Sequence, residues 1–186
     1  MSKKLILNID KLSSVRNSEI KEIVKDIFPN VKRFQCKSIN KSKKICYVLS
    51  DRAIRSHNID DYNFRTHSPK LKASYYEIWN PLNKGNYYLS KAYFHLYRID
   101  NEYLEKRNDG EYVLLHCDPN DNDEHGNYKR SPHIHIENAN YPINKAHIAL
   151  NLSDIEEILE SRLKLNKALK NAILMLKKQI VDKLLN

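Results

Sequence analysis

Between residues 71 and 151 the chain alternates in polarity, run after run. "PHIHIE" sets Ile134 and Ile136 on one side of an extended strand and His133, His135 and Glu137 on the other, because successive strand side chains point to opposite faces. The same split divides Ile148 and Leu150 from His147 in "AHIALN", and Val113 and Leu115 from Leu114 and His116 in "EYVLLHC". In "AYFHLY" it divides Phe94 and Leu96 from Tyr93, His95 and Tyr97. A two-residue period belongs to strands and not to helices. If these runs share one sheet, one face is aliphatic and the other gathers His95, His116, His133, His135, His147 and Glu137 among tyrosines.

The flanking residues support that reading. "LKASYYEIW", residues 71 to 79, precedes these runs, and "WNPLNKGN" and "NDGE" carry turn residues, which predicts an antiparallel meander. Ser153 with Glu156 forms a capping box. Beyond it Ile155, Ile158, Leu159, Leu163, Leu169, Ile173, Leu176, Ile180 and Leu184 mark a helix running close to the C-terminus. As one helix of about 32 residues it would span roughly 48 Å, longer than a small sheet, so its end is expected on a second copy or a partner. The competing reading breaks it in two.

At the N-terminal end, residues 4 to 9 read as a strand. Ile20, Ile23, Val24 and Ile27 mark an amphipathic helix opened by Asn17 or Ser18 and closed near Pro29. Residues 31 to 39 and 44 to 50 form a hairpin, and residues 51 to 70 a long loop. The expected fold is α+β: an antiparallel β-sheet with one face covered by a long C-terminal helix, plus an N-terminal strand-helix-hairpin unit. The boundary falls near residue 70, with a basic unit at 1–70, the alternative being that it is integrated, and the His-rich sheet with its helix at 71–186.

Charge is uneven. The net charge is +9, and residues 1 to 75 hold 17 Lys and Arg against 7 Asp and Glu. Such an excess attracts polyanions, nucleic acid first among them, and Lys32, Arg33, Arg52, Arg55 and Arg65 are the expected contacts. A general bias toward Lys and Asn would produce the same excess without a partner. Three cysteines without a CxxC pair argue against a disulfide framework or zinc ribbon and read as buried thiols. The opening "MSKKLILNIDKL" is too short in apolar residues for a signal peptide or a span, so the expectation is a cytoplasmic protein with no membrane contact.

Three chemistries fit the histidine face. The first is a divalent transition metal held by His133, His135, Glu137 and His147, since histidines at i and i+2 project side by side. The second is metal-free acid–base cleavage of a phosphodiester by two histidines, one neutral and one protonated, with Lys129 or Arg130 offsetting charge on the phosphorane. The third is structural, with imidazoles hydrogen-bonded to tyrosines and carboxylates. In the loop 116 to 130, Asp118 and His125 could be carried over the face, although no calcium-loop spacing is present.

Tyr112, His116, Pro132, His133, His135 and His147, followed by "SDIEEIL" from Ser153, resemble the TumE-type toxins of bacterial toxin–antitoxin pairs over residues 85 to 165. The chain departs from that family in lacking its D-N-A-P-H-H wording, in an inserted acidic loop and in an N-terminal extension of 75 residues. The resemblance implies a toxin or defence effector acting on RNA rather than DNA, with an antitoxin partner. Combined with the residue pattern, the leading expectation is a nuclease-like effector in which His133 and His135 are acid and base or metal ligands, His116 and His147 support them, and Lys129 and Arg130 contact phosphate. The alternatives are a non-catalytic nucleic-acid-binding or regulatory module that assembles through its C-terminal helix, and a metal-dependent enzyme on a small substrate.

Overall fold

The computed structural model describes residues 5–25, 27–29, 31, 33–39, 43–49, 63–119, 129–137, 145–150 and 155–184. Its centre is a long hairpin, β5 (Leu71–Asn83) and β6 (Asn86–Arg98). Gly85, at φ 74°, turns the chain between them, a conformation that residues with a Cβ rarely adopt. On one side β5 pairs with β3 (Lys43–Leu49), which pairs with β2 (Arg33–Ile39); on the other β6 is followed by β7 (Glu111–His116), β8 (His133–Glu137) and β9 (Lys145–Ala149). Two short strands, β1 (Ile6–Asn8) on β6 and β4 (Phe64–Arg65) on β5, complete the sheet. Every pairing is antiparallel. The hairpin expected from residues 31 to 50 is therefore part of the same sheet as the histidine strands. Cys36 and Cys46 stand opposite one another in that hairpin, and both thiols are free.

The two faces differ as the alternation requires. Ala73, Tyr75, Trp79, Ala92, Phe94, Leu96 and Leu115 form the dry face. The β5–β6 register steps from Ile78↔Lys91 to Trp79↔Leu89. This bulge at Ser90 returns Leu89 to the dry side while Lys91 stays with Tyr93 and His95 on the other. Two helices complete the core cluster: α1 (Ile9–Val24) through Leu12, Ile20, Ile23 and Val24, and the C-terminal helix through Leu165, Leu169, Ile173 and Leu176.

Three expectations need correction. Helix α1 begins at Ile9, capped by the Asn8 side chain, which accepts from the Asp10 amide, and not at Asn17 or Ser18. The inward position between Leu12 and Ile20 is Arg16, 1 % exposed, so the apolar stripe that marks a helix is broken in sequence by a charge. Second, the β6–β7 connection is not a bare turn: α2 (Asn101–Lys106) is capped by Asp100, and the chain turns at Gly110, φ 70°. Third, the long C-terminal helix is broken. α3 (Ile155–Ile158) ends, and α4 (Arg162–Leu176) starts afresh with Ser161 accepting from the Lys164 amide. It continues through a π turn (Lys177–Val181) and a 3-10 turn (Asp182–Leu184). From Arg162 to Leu184 this is about 35 Å, a length the sheet can cover. Ser153 and most of residues 51 to 70 lie outside the described residues.

Arg16 is held in place by Glu77 of β5, itself 0 % exposed. Its Nε and Nη2 donate to the two Glu77 oxygens, which also accept from Tyr75 Oη at 2.6 Å and Trp79 Nε1 at 3.0 Å. Nη1 of Arg16 donates to Asn166 Oδ1 on α4 at 2.7 Å and to Glu19. Burial disfavours the guanidinium charge, but Glu77 more than offsets this and raises the Arg16 pKa. One buried ion pair thus pins α1, α4 and the sheet together.

Candidate functional site

The opposite face carries the histidines because the strand register lines up their phases. His116 sits opposite His133, and His135 sits between Leu114 on one side and His147 on the other. His95, one strand further, pairs with Leu114. The imidazoles form a continuous file. His95 Nε2 lies 2.8 Å from His116 Nε2, the rings of His116 and His135 are 4.1 Å apart, and those of His135 and His147 are 4.0 Å apart. His133 lies beneath, fully buried, with Nε2 3.0 Å from His135 Nε2.

Outer contacts orient these rings. His133 Nδ1 is 2.9 Å from the Ser131 carbonyl. A carbonyl only accepts, so Nδ1 carries the proton and the neutral ring keeps its lone pair on Nε2. Tyr93 stacks on His116 at 3.7 Å, nearly parallel, and its hydroxyl donates to Asp118 Oδ1 at 2.6 Å. His95 Nδ1 meets Tyr97 Oη at 3.0 Å. The ligand atoms of His116, His133 and His135 all lie within 4.8 Å of one another.

Burial and mutual repulsion keep these rings neutral. Desolvation lowers His95 to about 4. Desolvation, then the neighbouring imidazoles and Lys91, lowers His116 to about 2. Desolvation, then His147, His133, His95 and Lys129, lowers His135 to about 3. Bases and ligands are thus abundant here at neutral pH, whereas an imidazolium acid among these three is disfavoured.

A groove of about 480 Å³ runs over the file, lined by His116, His135, His147, Tyr93, Asp118, Asn80, Tyr88, Ser90, Lys91 and Lys129. That size falls within the roughly 300–1,000 Å³ of small-ligand sites. Lys91 lies 5.3 Å from the Tyr93 ring, and among the described residues no carboxylate pairs with it. Comparison with protein families, curated proteins and solved structures finds no match.

The sequence-derived site residues are distributed as follows. His116, His133, His135 and His147 come together, and His95 joins them. Glu137 lies at the end of β8, opposite Lys145 in register, with its side chain outside the described residues. Lys129 lines the groove. Arg130 instead turns inward, 8 % exposed, with Nε donating to the Pro119 carbonyl at 3.3 Å, so it stands below the groove. Arg65 is exposed on β4; Lys32, Arg52, Arg55, His125 and the Arg33 side chain lie outside the described residues. The residue that sequence reasoning passed over is Lys91. It keeps the phase of Tyr93, His95 and Tyr97, and extending that alternation two residues back would have found it.

Proposed function

We propose that this chain is a nuclease-like effector that cleaves RNA phosphodiesters in the groove over the histidine file. The observation that carries the reading is the composition of that groove: neutral imidazoles on its floor and two lysines in its lining, Lys91 near His116 and Lys129 near His135. A phosphate lying across the floor would have its charge offset by both ammonium groups while nitrogen bases face the reacting atoms. The net charge of +9 favours such a partner, and the resemblance of residues 85 to 165 to TumE-type toxins points to the same substrate and to an antitoxin partner.

The proposal is tested by incubating the full chain with single-stranded RNA and resolving the products. Wild type is expected to cleave, His135→Gln to bind but not cleave, and Lys91→Ala to bind more weakly. RNA binding without cleavage by wild type would move the assignment to a non-catalytic binding module. Neither binding nor cleavage would end it.

A further inference from the structure

The convergence of three imidazoles on one point of the groove floor invites a more specific assignment. We propose that His116, His133 and His135 hold one divalent transition-metal ion, zinc or an ion of similar preference, with an open coordination position toward the groove. The inference deepens the reading above, for which the ion would supply the water-activating group, but metal binding is measured without any nucleic acid.

Four observations carry it. First, spacing: tetrahedral Zn–N bonds of about 2.0–2.1 Å place their nitrogens about 3.3–3.4 Å apart. His133 and His135 already stand at 3.0 Å and the whole set within 4.8 Å, so small ring rotations close the site. Second, orientation: the Ser131 carbonyl holds Nδ1–H of His133, so the lone pair lies on Nε2, the nitrogen that faces His135 at 3.0 Å. A metal-bound histidine ordinarily gives its other nitrogen to such an outer acceptor. Third, His116 is braced from behind by His95 at 2.8 Å and from the side by the Tyr93 ring. It can give one ring nitrogen to an ion while the other faces His95, whose far side meets Tyr97. Fourth, access: His116 and His135 line the groove, while His133 is sealed beneath. Three protein ligands and one open side describe a reactive metal site better than a closed structural one.

The ligand set also selects the ion. Imidazoles without an oxygen ligand in the trio suit zinc, copper, nickel or iron, whereas magnesium and calcium demand oxygen shells. His147 is exposed, and its ring lies 4.0 Å from that of His135 at a tilt of 41°, outside the trio. It therefore stands at the groove mouth and not among the ligands.

The test uses full-length, chelator-treated protein titrated with Co²⁺ and followed by visible absorption, then by displacement with Zn²⁺. Wild type is expected to bind one ion per chain, show the bands of low-coordinate Co²⁺, and melt at higher temperature when loaded; Mg²⁺ should do none of these. His135→Gln, at a half-exposed position, should weaken binding by more than the roughly 10–100-fold that loss of an outer partner costs, and His147→Gln should retain one ion per chain. Wild type that binds no Co²⁺ or Zn²⁺, an equal response to Mg²⁺, or equal losses in His135→Gln and His147→Gln would overturn the assignment. Stoichiometric metal without RNA cleavage would leave the metal site standing and remove the nuclease reading.

Discussion

The residue that decides most about stability is Glu77. It is wholly buried and accepts from Arg16, Tyr75 and Trp79. Removing one partner of such a pair leaves an uncompensated charge, which costs about 3–5 kcal/mol. Glu77→Leu is therefore expected to lower the unfolding free energy by that amount, and Arg16→Met likewise, measured by urea denaturation. The double substitution should cost much less than the two single ones combined, because neither charge is then stranded. The histidines make a second prediction. In the unfolded chain they titrate near ~6.5, but folding lowers His95 to about 4, His135 to about 3 and His116 to about 2. Below pH ~6.5 the unfolded state takes up protons that the folded state refuses, so stability is present above that pH and is lost as pH falls toward 4. His95 alone accounts for up to about 3 kcal/mol by pH 4. Metal-free protein should show a falling urea midpoint from pH 7 to 4.5, and the slope should shrink in His95→Phe. An unchanged midpoint would contradict the burial of these rings.

At the scale of elements, the longer strands were legible; the two-residue β4, inside the loop expected over residues 51 to 70, and the helix ends were not. Strands β6 to β9 follow from alternation, which each run displays by itself. Helix α1 was cut short in the sequence because its inward position at residue 16 is an arginine, and only a carboxylate on a strand 61 residues away makes that position habitable. The break before α4 had a local signal in Ser161, masked by the apolar residues that continue past it. Ser161→Ala should cost about 1 kcal/mol as a lost N-cap, seen as a lower thermal midpoint with the α4 packing unchanged. The β6–β7 connection gives a sharper case. A Cβ on Gly110 would meet the Arg98 carbonyl oxygen at 2.7 Å, with φ at +70°. Gly110→Ala is thus expected to destabilise by more than the roughly 0.5 kcal/mol of an ordinary surface substitution, read by the same denaturation.

At the scale of the molecule, the sheet runs without interruption from the N-terminal hairpin, through β3 on β5, to the last histidine strand. The buried stripe of α4 faces this chain's own core cluster. Among the described residues no helix is long and apolar enough to cross a membrane. If the groove binds RNA through Lys91 and Lys129, log affinity should fall linearly with log salt, and each Lys→Ala change should reduce the slope by about 0.7 for a single strand. Equal slopes in wild type and the double variant would place the contacts elsewhere. What the sequence by itself determined is the pair of faces: strand periodicity is local, so each run assigns its histidines to one side without reference to any other. What only the tertiary structure decided is which histidines meet, that Lys91 stands over the file while Arg130 turns away, and that Arg16 is buried. The reason is register. Neighbouring strands come from distant parts of the chain, and a side chain's partner, depth and protonation state depend on which residues pairing and packing bring to it.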